Sequence, residues 1–429
     1  MLAQARPKPG GSPVCGAGTV PANEATAAVA RGLDQKSRRL IAARGIRGVA
    51  QGLLVVDFTL YLRALSWPAA SIGALFAAAM AVSIVLTMLL GPLSDRIGRK
   101  RFLLGYEAAQ IAAAAIALIT SEPLWLALAA MASGYGRGAT GATGPFSPIE
   151  QSWLSAGLTP GQIAHAFRLN MAVGFLAMGV GSLFAGLPSW LSRWLVGALA
   201  YRSIFAVAGL GAALCFALLL AVAEPPIGPP PQDDAASQRQ DERRRLTGLI
   251  GVNLLNGLGI SMVGPFLAYW FQLRFGAGPE AIGPVMSAGF VLAGLSTLAT
   301  GRLVTRLGLV DAVVVMRVFG LAFLLLLPFS PSFAIAAALH ILRSTFSRAT
   351  AGARQALTVQ LVRPQRRGLA VSLGTVSSQI PRALGPLLGG LLFDADLLAA
   401  PFLAAALFQG AYLALYRRLF RRLPFAGPG

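Results

Sequence analysis

The chain has 429 residues, of which 55% are hydrophobic and only 12% charged, with a mean hydropathy of +0.67. That balance excludes an ordinary soluble globular domain and points to an integral membrane protein. The formal net charge of +20 would suit a nucleic-acid partner, but the cations gather in alternate turns between apolar runs, so they report topology and no nucleic-acid partner is expected.

Residues 1–38 hold no apolar core of signal-peptide length and read as a disordered cytoplasmic tail. Twelve apolar runs follow, each near the length of about 20 residues that a helix needs to cross the hydrocarbon core. They cover 42–62, 70–91, 102–120, 124–145, 167–187, 201–223, 248–271, 281–300, 309–329, 332–351, 369–393 and 398–416, and are numbered below as spans 1 to 12. They lack the short alternating pattern of an outer-membrane barrel, so the fold class is all-α. Arg96, Arg99, Lys100 and Arg101 follow span 2, three arginines from Arg243 precede span 7, and Arg417 and Arg418 follow span 12, whereas the opposite turns hold few cations. The positive-inside rule then places both termini in the cytoplasm. Cys15 and Cys215 lie in the tail and in span 6, too far apart in context for a disulfide.

Within span 1, Asp57 stands in "LLVVDFTLYL" with no nearby cation. Protonation would remove the cost of burying its charge, which suits a proton-coupling site; a structural hydrogen bond or a position near the outer end accounts for it equally well. The stretch "GPLSDRIGRKR", Gly91 to Arg101, then puts one acid among four cations and two glycines. A tight turn with orienting cations explains all of it except Asp95, which can pair with Arg96 and Arg99 or favour the positive end of a neighbouring helix. In span 4, Arg137 lies in "GYGRGATGATG", where small residues allow close helix approach and a guanidinium needs an anionic or carbonyl partner. Asp57 is one such partner.

Glu224 to Leu246, "EPPIGPPPQDDAASQRQDERRRL", is polar and rich in proline, the pattern of a cytoplasmic linker. It divides the chain into a six-helix bundle over 39–223 and a second over 247–420, with a short tail at 421–429. The halves resemble each other. "GPLSDRIG" at Gly91 returns as "GRLVTRLG" 210 residues later, with Ile72 and Gly73 matching Ile282 and Gly283, and Gly181, Gly186 and neighbours match Gly385, Gly390 and theirs 204 residues on. Duplication of this kind encloses a central site near the bilayer midplane, the architecture of a carrier.

In the second half, Asn253 and Asn256 of span 7 line a cavity or serve helix packing. Span 10 and the residues just after it carry Arg343, Arg348 and Arg354, of which Arg343 and Arg354 are eleven residues apart and share a face, with Arg348 directed elsewhere. Span 11 adds Gln379 and Arg382 in "SSQIPRALGPLLGG", whose GPLLGG reads as a flex point or a close-packing site. The solute-contact candidates are Arg343, Arg382, Gln379 and Asn256. His165, in a loop after Pro160, and His340, in span 10, read as structural. No cofactor or metal is expected: the sequence has no phosphate-binding GxxxxGK[ST], no metal-ligand cluster, and no nucleophile–base set that would mark an enzyme.

Twelve spans, a central hydrophilic linker and GxLxDRxGRK between spans 2 and 3 resemble the major facilitator superfamily over about residues 40–420. The resemblance implies two pseudo-symmetric six-helix bundles that work by alternating access, and a cytoplasmic gate formed by Gly91, Asp95, Arg96, Gly98 and Arg99 near the cytoplasmic end of span 11. Thr305 replaces the acid in the second copy, so a matching latch there is weaker. Arg137 with Thr140 and Gly141 is similar to the span 4 motif of drug and proton antiporters, with threonine in place of glutamine; that branch's GxxxGPxxGG in span 5 departs here to a proline-free "GFLAMGVGSLFAG". The leading expectation is a monomeric, proton-coupled exporter of small amphipathic compounds in a bacterial inner membrane, with Asp57 and Arg137 as coupling residues. The alternatives are an ion-coupled carrier of an organic anion or phosphate-bearing metabolite, favoured by arginine outnumbering acid within the spans, and a transport-inactive receptor or scaffold.

Overall fold

The computed structural model describes residues 34–135, 146–155, 158, 160–223, 239–351, 354 and 367–421, and among these every regular element is helical. In the N-terminal half they are α1 (Gln35–Ala64), α2 (Ala69–Ile97), α3 (Arg99–Ile119), α4 (Pro123–Ser133), α5 (Ser147–Ser155), α6 (Pro160–Leu183) and α7 (Ser203–Leu220). The C-terminal half contributes α8 (Arg239–Ser261), α9 (Leu267–Phe275), α10 (Pro279–Leu307), α11 (Leu309–Leu326), α12 (Phe333–Ala349), α13 (Arg367–Asp394) and α14 (Ala400–Phe420). Eight described segments are long and apolar enough to cross a membrane, and α4, α12, α13 and α14 lie in the other four apolar runs.

Local chemistry explains where several helices depart from the apolar runs. Asp34 caps α1 by accepting from the Ser37 amide at 3.1 Å, so the first helix starts inside the segment read as a tail. Helix α4 ends at Ser133, within span 4, because Gly134 adopts φ +71° and its amide closes on the Ala130 carbonyl. Pro160 opens α6, as proline can where the first-turn amides have no helical partner, so His165 belongs to a helix and not to the expected loop. Likewise α8 begins at Arg239, within the segment read as linker, and span 7 is divided at Gly264 and Pro265 into α8 and α9.

The repeat is visible in the packing. In the first half α1 packs on α6 and α7, and α3 on α7; in the second, α8 packs on α13 and α14, and α11 on α14. Gly98 (φ +113°) and Gly308 (φ +80°), 210 residues apart, join helices in the same way, each serving as the end of one and the start of the next. Their amides donate to Ser94 and Val304, also 210 apart. A positive φ is easily reached only by glycine, which accounts for the last glycine of both motif copies.

Two seams hold the halves together, α2 against α13 and α6 against α10, and the pseudo-twofold exchanges them. Gly73 in α2 lies against the Pro386 carbonyl and Gly283 in α10 against the Ser182 carbonyl, with no room for a methyl group at either. The linker end is marked by Arg39 and Lys100, which donate to the Ala221 and Leu220 carbonyls. At the opposite end, Asp394 of the second half accepts from the Ala69 and Ala70 amides at 2.7 and 2.9 Å, capping α2 from across the seam. Ser189 donates to Glu280 at 2.5 Å, Thr59 to the Pro265 carbonyl at 3.1 Å, and the Arg63 guanidinium lies 5.0 Å from the Tyr269 ring centre. The halves are therefore sealed against each other at the end away from the linker.

Candidate functional site

A cavity of about 190 Å³ opens within the second half. Its cationic lining comes from α11 (Arg317), α12 (Arg343 and Arg348), Arg354 beyond α12, and α13 (Arg382), while the first half adds only Met171 and Phe175 of α6. No carboxylate lines it among the described residues. Two of the arginines make described contacts with neutral groups. Arg317 donates to Gln409 Oε1 at 3.1 Å and Thr350 Oγ1 at 3.3 Å and lies 5.3 Å from the Tyr412 ring centre. Arg348 packs over Phe290 at 4.3 Å and Phe175 at 5.8 Å, a cation–π contact that spans both halves. His340, buried on α12 with its ring edge-on to Phe271, lines the same space, and its Nδ1 has no hydrogen-bond partner among the described residues.

The structure brings the solute-contact candidates Arg343 and Arg382 into one cavity, together with Arg354, read as sharing a face with Arg343, and with Arg317 and Arg348. Arg348 does not point away from Arg343: the cavity reaches the seam with α6, where the long guanidinium side chain turns onto Phe290 and Phe175. Gln379 is partly buried three residues before Arg382 and does not line the space. Asn256 stands behind the wall, its carbonyl accepting from Gln409 Nε2 at 3.3 Å, and Asn253 Nδ2 ties α8 to the Gly374 carbonyl and Ser377 hydroxyl. Arg137 lies outside the described residues, so the expected pairing with Asp57 has no geometry to report. Asp57 itself is fully buried in α1, and neither carboxylate oxygen accepts a hydrogen bond among the described residues. Of the residues expected to form a gate, Gly91 is part of α2, Gly98 makes the positive-φ junction and Arg99 opens α3; the side chains of Asp95 and Arg96 lie outside the described residues.

Sequence reasoning passed over a second polar node. Arg47 of α1 contacts Glu107 of α3 (Nε to Oε1, 2.9 Å) and Glu150 of α5 (Nη1 to Oε2, 2.6 Å), while neighbouring Arg44 donates to Gln51 at 3.1 Å. The Glu107 contact is an ion pair without hydrogen-bond alignment. Glu107 stands 210 residues before Arg317, and Arg47 209 before Asn256, so one repeat position holds ion pairs in the first half and an arginine with neutral partners in the second. Packed without a described cavity, the first node is a tie between helices. Arg47→Met leaves two buried carboxylates facing each other and should cost about 3–5 kcal/mol. A lowered unfolding midpoint in detergent, largely restored when Glu107→Leu and Glu150→Leu are added, is the expected result.

The Major Facilitator Superfamily profile matches residues 40–248 and 249–428, one copy for each half. Among solved structures, a variant of the nucleoside transporter NupG superposes with a TM-score of 0.70 at 13% identity, covering 90% of this chain and 100% of that one. A bacterial homologue of the human lysosomal transporter Spinster, inward-facing and unoccupied, gives 0.69 at 15% identity over 92% and 100% of the two chains. An auto-inhibited peptide transporter of the POT family gives 0.70 at 12% over 92% and 98%. At these identities the likeness speaks for the fold alone. No curated protein sequence matches the chain. With a family match over each of two packed, repeat-related bundles, the chain belongs to the major facilitator superfamily.

Proposed function

We propose that the protein is a secondary active transporter of a small organic anion, working by alternating access in a bacterial inner membrane with both termini cytoplasmic. The observation that carries this reading is the cavity lined by five arginines and, among the described residues, no carboxylate. Guanidinium groups stay charged at any physiological pH and present paired donors matched to carboxylate and phosphate. Efflux of amphipathic compounds, the leading expectation from sequence, would be better served by an apolar or acidic pocket, so the cavity favours the anion carrier. Sealed contacts at the end away from the linker support a state that faces the cytoplasm, with the monomer as the working unit.

The proposal keeps protons as the coupling ion and Asp57 as their carrier. A buried carboxylate with no hydrogen-bond donor among the described residues is costly when charged, and binding a proton removes that cost. Purified protein in proteoliposomes, given a pH gradient and a panel of anionic, neutral and cationic solutes, should move protons only with the anions. A signal confined to lipophilic cations would overturn the proposal. Asp57→Asn should abolish uphill accumulation while leaving downhill exchange of the anion intact; accumulation at the native level would exclude Asp57 as the carrier.

A further inference from the structure

We infer that the transported solute carries at least two negative charges, on carboxylates or on a phosphate. The inference rests on the anion reading above and narrows it. Its basis is the distribution of acids in the whole chain. Of 16 acidic residues, only Glu280, Asp311, Asp394 and Asp396 follow residue 247. Each is placed away from the cavity. Glu280 meets Ser189 and Asp394 caps α2, both at the sealed end, Asp396 lies in the turn after α13, and Asp311 contacts Arg421 at 3.6 Å at the linker end.

In the first half, Glu107 and Glu150 are held by Arg47, and Asp57 is not among the lining residues. No acid among the described residues therefore offsets the guanidinium charge of Arg317, Arg343 and Arg382. Thr350, Gln409 and the Tyr412 ring disperse the charge of Arg317 without neutralising it. A monoanion would leave most of the guanidinium charge unbalanced inside the membrane, where uncompensated charge is least tolerated.

Placement separates the charges as well. Arg317, Arg343 and Arg382 enter from three different helices, which suits a solute with anionic groups on more than one side and not a single carboxylate clamped by one arginine. Volume fits the same class of solute. A space of about 190 Å³ slightly exceeds the ~150 Å³ that admits benzene, enough for a short dicarboxylate or a small phosphate monoester.

The test uses the native full-length chain in detergent, near neutral pH and low chloride, titrated with butyrate, succinate, tricarballylate and methyl phosphate. Succinate and tricarballylate should bind at least about tenfold tighter than butyrate, a difference of about 1.4 kcal/mol. Stronger binding of methyl phosphate than of succinate would assign the charge to a phosphate, and the reverse to carboxylates. Arg343→Gln and Arg382→Gln should shrink the succinate advantage, whereas Arg193→Gln, an exposed arginine near the sealed end, should preserve it. Equal binding of butyrate and succinate would overturn this inference and leave the anion carrier standing. An advantage untouched by both cavity substitutions would also overturn it, as surface attraction only. Binding of none of the four would overturn both readings.

Discussion

Tryptophan in place of Gly73 or Gly283 is expected to hold the transporter open at the end away from the linker and to reduce transport to about a hundredth. Both glycines face main-chain carbonyls across the seams, Pro386 in one case and Ser182 in the other, and neither backbone can yield as a flexible side chain would. A bulky side chain therefore opposes the sealed state by more than the ~1–3 kcal/mol typical of overpacking, while costing little once the seam has parted. Because about 2.7 kcal/mol shifts a two-state equilibrium a hundredfold, the population should move almost entirely to the other state. Spin labels at Leu65 and Leu397, on opposite halves of the sealed end, would report it. Their separation should lengthen in both variants, and an unchanged distance distribution alongside lost transport would show that the glycines serve folding and not the cycle.

The second large effect concerns Arg343 and Arg382. Either change to glutamine should raise KM for the anionic solute by about 10- to 100-fold, because one charge-assisted contact to a buried anion is worth about 1.5–3 kcal/mol. The maximal rate should fall less than the affinity. Arg→Lys at the same positions should recover part of the loss, since lysine restores the charge but not the planar pair of donors. Any neutral solute that the protein carries should be affected equally little by all four changes. A uniform drop for charged and neutral solutes would mean that the side chains support the bundle and do not meet the cargo.

How much of this was legible before the structure depended on whether the signal was local. Helical spans and the linker follow from hydropathy, and the motif copies at Gly91 and Gly301 revealed the duplication. Even the paired glycines at 73 and 283 stood out as a sequence match, although only packing shows that each meets a carbonyl across a seam. Arg343 and Arg382 were found because arginine inside a membrane span demands a partner. The same rule applied to Arg317, set in "VVVMRVFG", and to Arg47 and Glu107, would have exposed both polar nodes. Rotation of one helix against another is a tertiary property, which is why Gln379 and Asn256 seemed as good as Arg382 and why Arg348 seemed to face away. The breaks at Gly134 and Pro265 were likewise hidden, since a glycine or proline inside an apolar run is compatible with a continuous span or with an interrupted one.

The cap that Asp394 places on α2 has a lopsided genetic consequence. Its two donors are the amides of Ala69 and Ala70, and an amide belongs to every residue except proline. Substitutions can accumulate at those positions without removing a donor, whereas the acceptor depends on a single codon. Over evolutionary time the grip of this closure is therefore adjusted from one side only, and a search for co-varying side-chain pairs would pass over it.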